Sequence, residues 1–409
     1  MRQTILHVFN SSLISGPETL VMPALACSGW PVHILLLRES RVSDEKQKHV
    51  EEYLNQLKLS YTVILIDSRY DRQAIKKIKM YLENFSDLFV AHAHDVKASF
   101  YLLKATEKIV DRQFYIVSTH HGVYARSGFV VRLYELYYSH FLLPHFDRVL
   151  VVCTEDKKRL LHRGLSNELV EVHLNGVTRT EISLQQRALQ QKKIRQLWNL
   201  PLAENSLILG VVARLDAEKR HSYILQVIAE LKKIKPENLN VQVFCFGRGA
   251  LEEKLREQTV QLGLEKEMIW AGYRLGLGEQ LSGFDALLSL SQAEGLPINM
   301  IEAGWAGTPV FASAVDGVKD LVTDDKMGQL ISAAMRPELA AQKLLEFLVD
   351  KQELENKGYR FQENVKQNFS QDKWLSRLQE IYQQLKANTS YKAQSKKHQQ
   401  DTDIRKVLS

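Results

Sequence analysis

Short apolar runs alternate with helical patterns through the first half of this 409-residue chain. Each run is nearly continuous in large apolar residues, which is typical of a parallel strand that is buried on both faces. Six such runs are predicted to be strands, at residues 5–9, 32–37, 62–66, 88–93, 114–119 and 148–153. Because helical patterns separate them, we predict an α/β fold with a doubly wound parallel sheet.

The same alternation starts again in the second half, after a Gln/Lys-rich stretch at residues 185–196. Five further strands are predicted there, at residues 207–213, 241–247, 268–272, 286–291 and 309–313. The two halves share an architecture but show no residue-level repeat. We therefore predict two Rossmann-like domains, residues 1–180 and 181–370, with the boundary between residues 176 and 205.

The last part of the chain carries a further helical pattern. Within residues 371–388, one helical face collects four large apolar side chains, those of Trp374, Leu378, Ile381 and Leu385. Such a face predicts a helix that packs against another part of the chain. Residues 389–409 are polar and basic, so we expect a disordered tail there.

Composition narrows the possible classes of protein. With 45% hydrophobic and 25% charged residues, the chain matches an ordinary globular protein, and its net charge of +6 is too small for a dedicated nucleic-acid binder. Cys27, Cys153 and Cys245 lie far apart without a CxxC spacing, which indicates neither a disulfide framework nor a zinc site. The sequence shows no run of 18 apolar residues and no signal peptide, so we expect a cytoplasmic protein.

The richest candidate for chemistry is the stretch SQAEGLPINMIEAGWAGTPVFAS at residues 291–313. A helix is predicted to open near Pro297, since proline is favoured in a first helical turn. Glu294 then lies in the preceding loop, and Glu302 lies about one and a half turns into the helix. The unpaired backbone N–H groups at the helix start predict an anion site. Gly304 and its small neighbours are expected to let the helix pack close to its sheet.

A second candidate is the loop RLDAEKRH at residues 214–221, between a predicted strand and the next helix. Arg214 and Lys219 leave the carboxyl end of a buried strand, where open α/β sheets bind ligands. Two cations there could hold a diphosphate without a metal, and a solvated basic loop is the alternative. The glycine turn at residues 246–255 lacks the third glycine of GxGxxG and is weak support on its own.

Strand ends of the first half form a second predicted ligand-binding edge. The loop at residues 10–20 contains Gly16, which allows a backbone to approach a ligand closely. Asp95 follows the fourth strand and His121 follows the fifth, and a turn or packing role is the alternative for both.

Two histidines, His92 and His94, share one face of the fourth strand. A pair of imidazoles without a third ligand makes a poor metal site. The sequence therefore predicts no bound metal.

Taken together, these residues resemble the family 4 glycosyltransferases of the GT-B fold, and the resemblance extends to residue 388. Its most specific part is the E-x7-E pair Glu294/Glu302 with GLP between, followed by the ARLDAEKR loop and the LNGV segment at residues 174–177. In that family two Rossmann-like domains face each other across a cleft, the nucleotide sugar lies mostly on the second domain, and a final helix crosses back to the first. The resemblance implies the same architecture here.

The resemblance also implies roles for the matching residues. Arg214 and Lys219 would hold the donor diphosphate. Glu302 would bind the ribose hydroxyls, and Glu294 would lie against the transferred sugar. Arg214, Lys219 and Glu294 are thereby expected to act in catalysis. The remaining donor contacts are implied for Gly16 near the phosphates, for Tyr273 and Arg274 beside the nucleobase, and for the backbone of Gly295, Leu296 and Pro297.

The histidine of the family's HG motif, which touches the donor sugar, matches His121, although His120 stands directly before it. His121 is assigned to the catalytic residues, and His120 and Asp95 are candidates for the acceptor side. The chain departs from the family pattern in two other places. Pro17 follows Gly16 where many members have a second glycine, and NGVT stands in place of NGVD.

The resemblance implies a transferase that moves a hexose-type sugar from a nucleoside-diphosphate sugar to an acceptor hydroxyl, with retention of the anomeric configuration and without a metal or other cofactor. The acceptor is expected to be a saccharide or a lipid-linked molecule in bacterial envelope polysaccharide or lipopolysaccharide assembly. A nucleotide-sugar epimerase of related fold is the main alternative, and it would release an altered sugar without any acceptor. A non-catalytic sugar-nucleotide sensor is a third hypothesis.

A membrane contact is predicted for residues 123–146, which combine aromatic residues at helical spacing with Arg126 and Arg132. A helix at a lipid interface could present a lipid-linked acceptor to the cleft. The protein would then lie peripherally at the inner face of the plasma membrane. A core helix that covers the first sheet is the alternative of equal weight.

Overall fold

The computed structural model contains two parallel β-sheets, one in each half of the chain. It describes residues 3–11, 14, 16–110, 112–122, 135–177, 182–198, 206–274, 277–278 and 280–387, apart from the side chains of residues 44–47 and 184. The predicted tail lies outside the described residues, as do residues 123–134 of the predicted membrane contact.

The first sheet has seven strands. In chain order they are β1 (Thr4–Phe9), β2 (Val32–Glu39), β3 (Ser60–Ile66), β4 (Leu88–Ala93), β5 (Tyr115–His120), β6 (Arg148–Val151) and β7 (Val170–Val172). Their order in the sheet is β3-β2-β1-β4-β5-β6-β7, and all pairs are parallel. The helices of this half are α1 (Gly16–Cys27), α2 (Asp44–Gln56), α3 (Arg72–Glu83), α4 (Val96–Thr106) and α5 (Thr154–His162), with a π-helical turn (Tyr138–Leu142) and a 3₁₀ turn (Leu143–His145) before β6.

The second sheet has six strands. They are β8 (Ser206–Val212), β9 (Asn240–Phe246), β10 (Met268–Gly272), β11 (Ala286–Ser289), β12 (Val310–Ser313) and β13 (Gly328–Ile331), in the parallel order β10-β9-β8-β11-β12-β13. Its helices are α6 (Leu184–Leu197), α7 (His221–Ile234), α8 (Glu252–Gln261), α9 (Ile298–Trp305), α10 (Val318–Leu321), α11 (Pro337–Val349) and α12 (Lys351–Asn368), with 3₁₀ turns at Ala217–Lys219 and Gln280–Gly283. A last helix, α13, covers residues 371–387.

All eleven predicted strands form, within a few residues of their expected bounds. The sequence missed β7 and β13, which have three and four residues and lie at the far edges of the two sheets. An edge strand has only one neighbour and need not be apolar along its whole length. Hence it lacks the continuous apolar run on which the prediction depended.

Helix α13 confirms the predicted crossing back to the first half. Its four predicted apolar residues are all at most 5% exposed. The hydroxyl of Tyr382 lies 2.6 Å from Nδ1 of His92 in β4, and the carbonyl of Trp374 lies 2.9 Å from Nε2 of His173. The guanidinium of Arg377 also pairs with Glu171 in β7. The helix therefore follows the second half in sequence but packs against the first.

Two local expectations are corrected by the structure. Helix α1 already begins at Gly16, so the loop predicted over residues 10–20 ends there. Gly304 does not bring α9 close to its sheet as expected. A Cβ on Gly304 would instead overlap the side chain of Val365 in α12, so the small residue serves helix-on-helix packing.

Cys27, Cys153 and Cys245 are all unpaired thiols. Within the part of the chain that the structure describes, no helix is both long enough and apolar enough for a membrane crossing.

Candidate active site

The winding of the second sheet reverses between β8 and β11. Strand β8 continues into β9 on one side, and β11 continues into β12 on the other. The loops that leave the carboxyl ends of these two strands therefore open a crevice, the usual ligand site of such sheets. These loops, residues 213–220 and 290–297, touch each other: the backbone N–H of Gln292 donates to the carbonyl of Glu218 at 2.9 Å.

Glu294 and Lys219 form an ion pair between the two loops. Lys219 Nζ lies 2.6 Å from Glu294 Oε1, and Ser291 Oγ donates to the same oxygen at 2.7 Å. The two charged side chains are only 16% and 9% exposed. Because the pair is largely buried, these charge-assisted hydrogen bonds hold the Glu294 carboxylate in one orientation. The structure thus brings together two of the predicted catalytic residues.

Arg214 stands on the same loop in a different environment. Its side chain is 64% exposed, and its guanidinium lies 3.1 Å from Asp216 Oδ2. Asp216 precedes the 3₁₀ turn Ala217–Lys219 and caps it by accepting from the backbone N–H of Lys219. An ammonium carries three N–H groups, so Lys219 can bind Glu294 and an anion together. Both predicted cations thus reach the mouth of the crevice.

The glycine turn after β9 supports the Arg214 loop. A Cβ on Gly247 would overlap the carbonyl oxygen of Ala213, and one on Gly249 would overlap that of Leu215. The N–H of Leu215 also donates to the carbonyl of Arg248 at 3.0 Å. This turn looked like a weak phosphate-binding motif in the sequence. In the structure its glycines allow backbone-to-backbone contact with the loop that carries Arg214 and Lys219.

The Gly295-Leu296-Pro297 segment is held from the first half of the chain. The side-chain amide of Asn175, which follows β7, donates to the carbonyl of Leu296 at 2.9 Å. Sequence analysis had assigned no role to Asn175. Its place in the LNGV segment was the only available signal, because its hydrogen-bond partner lies 121 residues further along the chain.

Two helix N-termini meet beside this segment. Helix α9 begins at Ile298 after Pro297, without a side-chain cap. The Cβ position of Gly16, the first residue of α1, lies 3.4 Å from Ile298 Cδ1. Unpaired N–H groups and the helix dipole make each N-terminus attractive to anions. The predicted phosphate contact at Gly16 therefore lies against the predicted anion site of the second half.

The remaining donor-side residues are more spread out. Glu302 is half-buried on α9, as the sequence predicted. Tyr273 follows the edge strand β10 and is 52% exposed. The Arg274 guanidinium lies 5.3 Å from the ring centroid of Trp198, a cation–π contact. Tyr273 and Arg274 therefore stand at the edge of the second sheet, where β9 lies between β10 and the β8–β11 reversal.

The two adjacent histidines, His120 and His121, lie in different surroundings. His120 ends β5 and is buried, with its ring centroid 5.8 Å from that of Tyr138. His121 is half-buried, and its Nε2 lies 3.4 Å from Nδ1 of His94. Burial lowers the pKa of His120 to about 3 and the pKa of His121 to about 4. Both imidazoles are therefore neutral near pH 7.

A third imidazole, which the sequence analysis missed, joins His92 and His94. His7 in β1 lies beside them, and the three buried side chains place ligand atoms within 4.8 Å of one another. Yet His7 Nδ1 lies 2.7 Å from His94 Nε2, while His92 bonds to Tyr382 and Thr119. The rings of His92 and His94 also stack, with centroids 4.2 Å apart. The expectation that a third histidine is lacking was wrong, although the arrangement is that of a hydrogen-bonded stack.

Asp95 caps helix α4. One carboxylate oxygen accepts from the N–H of Ala98 at 2.7 Å, and the other accepts from the N–H of Asn10 at 2.8 Å. Burial raises the pKa of Asp95 to about 6. Its two backbone bonds link the loops after β1 and β4, where the winding of the first sheet reverses. Asp95 thus stands at the predicted ligand-binding edge with both oxygens already engaged.

Two protein-family models match the two halves of the chain. Residues 21–181 match the family model for glycosyltransferase family 4, and residues 192–368 match that for glycosyl transferases group 1. The fold resembles that of HepE from Anabaena, solved in complex with UDP, with a TM-score of 0.75 and 18% identity, covering 93% of this chain and 100% of that one. The chain is a GT-B glycosyltransferase.

Curated relatives of this glycosyltransferase include proteins matched over most of their length. The putative glycosyltransferase EpsF of Bacillus subtilis is 27% identical over 381 residues, which is 89% of this chain and 94% of that protein. The lipopolysaccharide 1,6-galactosyltransferase of Salmonella typhimurium is 22% identical over 274 residues, which is 64% of this chain and 73% of that protein. The glycosyltransferase is thus an enzyme that transfers sugars, which excludes the non-catalytic sensor.

Proposed function

We propose that this glycosyltransferase moves a hexose-type sugar from a UDP-sugar to a hydroxyl of a saccharide or lipid-linked acceptor, with retention and without a metal. Envelope polysaccharide or lipopolysaccharide assembly is its proposed setting. The relatives named above and the UDP complex of HepE support the donor and the setting. Both matched family models describe glycosyltransferases, and neither favours the epimerase alternative.

The Lys219–Glu294 pair at the sheet reversal is the observation that carries the proposal. Cleaving a nucleoside-diphosphate sugar creates negative charge on the diphosphate and positive charge on the sugar ring. Lys219, Arg214 and the N-terminus of α9 supply fixed positive charge for the first. Glu294 supplies an oriented carboxylate for the second. One crevice thus offers complementary charge to both parts of the breaking bond.

Retention is supported by the weakness of the alternative bases. Inversion needs a general base to take the acceptor proton, and a useful base has a pKa near the working pH. Burial lowers the pKa of His121 to about 4, which makes it a weak base near pH 7. Asp95 has a raised pKa of about 6, but both of its carboxylate oxygens already accept backbone hydrogen bonds, so the argument against it is its geometry. In the proposed retaining reaction, an oxygen of the leaving diphosphate takes the acceptor proton on the same face of the sugar, so no protein base is needed.

A donor screen tests the proposed function. Purified protein is incubated with UDP-glucose, UDP-galactose, UDP-N-acetylglucosamine and their GDP and ADP counterparts, with and without saccharide acceptors. We expect acceptor-dependent release of UDP and an anomeric configuration in the product that matches the donor, as read by NMR. Altered sugar nucleotide in the absence of any acceptor would instead identify an epimerase. An inverted product would refute retention.

Activity is expected to survive chelation. The proposed charge stabilisation comes from Lys219, Arg214 and backbone N–H groups, so no divalent ion is required for the diphosphate. Initial rates are measured in excess EDTA and after addition of Mg²⁺ or Mn²⁺. Rates equal to those of the untreated enzyme are expected. Complete loss in EDTA with recovery on metal addition would contradict the proposal.

The described part of the predicted membrane segment presents an aromatic surface. Leu136, Tyr137 and Phe141 are 45%, 41% and 64% exposed, while the neighbouring Tyr138 and Leu143 are buried against the first half. The rings of Tyr137 and Phe141 stack with centroids 5.6 Å apart. The segment therefore both covers the core and exposes apolar rings. We propose that this exposed face rests on an anionic membrane.

Binding to lipid vesicles is the corresponding prediction. The enzyme is expected to sediment with phosphatidylglycerol-rich vesicles at low salt and to be released at high salt. Salt screens the attraction of Arg126 and Arg132, the basic residues of the predicted contact, to the anionic lipid. A Tyr137→Ser/Phe141→Ser variant is expected to bind less, because it loses the exposed apolar area. Tyr70→Ser, which removes a ring that is 50% exposed elsewhere on the first half, is the matched control. Equal sedimentation of all three proteins would exclude this face as the contact.

A further inference from the structure

The two halves of the chain touch at the start of α5. The backbone N–H and hydroxyl of Thr154 donate to the carboxylate oxygens of Asp320 in α10, at 2.7 and 2.6 Å. The N-cap residue of α5 is Cys153, which makes no side-chain capping bond. An aspartate from the second half thus supplies the cap that the helix lacks in its own sequence. The contact between the halves therefore completes the hydrogen bonding at the start of α5.

One turn further along α5, Arg159 reaches Asp316 in the segment between β12 and α10. Its guanidinium donates to Asp316 across the contact and, at 3.1 Å, to Asp156 within α5. Asp316 is only 7% exposed and has a φ of 34°, a backbone conformation unfavourable for a residue other than glycine. A buried carboxylate in such a conformation requires strong partners, and Arg159 provides one from the other half.

The second oxygen of Asp316 points to the active-site loop. Oδ2 of Asp316 accepts the backbone N–H of Glu294 at 3.2 Å. The next residue, Gly317, packs so closely on the carbonyl of Gly295 that a Cβ would overlap it. The same carboxylate therefore bonds to Arg159 in the first half and to the residue that pairs with Lys219 in the second.

We propose that Asp316 is a positioning residue that fixes the Glu294 backbone while Arg159 of the first half is paired with it. Contact between the halves then sets the position of the Glu294 carboxylate. When the halves part, Asp316 loses its counter-ion, and its hold on the loop weakens. This inference rests on the proposed function for the role of Glu294, whereas the coupling itself concerns only the chain.

The test compares Arg159→Gln and Asp316→Asn with Lys158→Gln. Lys158 lies on the same helix, is 65% exposed, and pairs only with Glu155 at 3.7 Å among its described neighbours. Hydrogen exchange is followed by mass spectrometry in peptides that resolve the amide of residue 294. In both test variants this amide is expected to exchange about tenfold faster, the size of change that follows loss of a hydrogen bond to a charged group. Asp316→Asn removes the charged acceptor itself, and Arg159→Gln leaves the Asp316 carboxylate without its counter-ion, so that it turns from the amide towards solvent. The control is expected to exchange like the wild type.

Enzyme kinetics provide the second measurement. We expect Arg159→Gln to lower kcat about tenfold while the donor KM changes less, and Arg159→Lys to recover part of the loss because it keeps a positive charge. Faster exchange throughout the protein would indicate general destabilisation and would overturn the inference. Unchanged exchange at residue 294 would overturn it as well. If the wild type transfers no sugar, the proposed function fails, and the exchange experiment still decides the coupling.

Discussion

Replacing Lys219 by alanine is expected to lower kcat by about 10²–10³, the usual effect of removing one preorganised charge contact from a transition state. Lys219 faces the leaving diphosphate in the proposed mechanism and also orients Glu294 at 2.6 Å. Glu294→Gln is expected to cause a loss of similar size, because glutamine keeps the shape and removes the charge. Released UDP is measured at saturating donor and acceptor.

Two further variants, Arg214→Ala and the control Lys232→Ala, separate the effect on kcat from the effect on stability. Lys219→Ala leaves the Glu294 carboxylate partly buried without its cation, so its free energy of unfolding is also expected to fall, by about 2–3 kcal/mol. Arg214→Ala removes a side chain that is 64% exposed, so it should lower kcat with little effect on stability. Lys232→Ala breaks a surface pair with Glu267 at 2.9 Å and is expected to keep normal kcat. Near-normal turnover in both Lys219→Ala and Arg214→Ala would make the loop an ordinary solvated basic loop.

The free energy of unfolding is expected to fall steeply as the pH drops below 6.5. Burial lowers the pKa of five histidines from 6.5 to about 3 for His7 and His120 and to about 4 for His121, His173 and His221. Below pH 6.5 the unfolded chain binds protons that the folded chain refuses, so acid favours unfolding. At pH 5.5 each such histidine costs about 1.4 kcal/mol. A few of them together remove a large part of the 5–15 kcal/mol that is typical of a domain.

Three described carboxyl groups act in the opposite direction, and one of them is Asp285, whose pKa is also raised by burial. Burial raises the pKa of Asp95 and of Asp156 to about 6, so the folded chain binds their protons first as the pH falls. Their contribution to stability is fully present at low pH and is lost as the pH rises from about 4 through 6. These three groups offset only part of the effect of the five histidines. The net change below pH 6.5 is therefore a loss of stability.

Urea unfolding at pH 7.5 and 5.5 measures this loss. His173→Gln is expected to reduce the pH dependence by one histidine's share, because a glutamine amide can still donate to the Trp374 carbonyl without titrating. His49→Gln is the control, since the His49 side chain is 65% exposed. Equal unfolding free energies at the two pH values would contradict this prediction. They would show that these imidazoles bind protons as readily in the folded chain as in the unfolded chain.

The sequence by itself determined the elements and most of the candidate residues of this glycosyltransferase. An apolar run and an apolar helical face are both visible within one short segment of sequence. For an apolar run, the composition alone indicates a strand that is buried on both faces. The eleven strands and the packed face of α13 were therefore predictable. The strand-end positions of Glu294, Lys219 and His121 followed from the same pattern, since a strand that ends in polar residues exposes them at the edge of its sheet.

Only the tertiary structure decided which of these residues meet. Lys219 and Glu294 are 75 residues apart, Asn175 and Leu296 are 121 apart, and Arg159 and Asp316 are 157 apart. Such pairings depend on the order of strands in each sheet and on how the halves dock, and local periodicity carries neither. His7, the third histidine of the buried stack, was not predicted for the same reason. Its strand β1 becomes the neighbour of β4 only because the first sheet reverses its winding between them. The local sequence therefore identified the candidate site residues, and the topology of the chain determined which residues they contact.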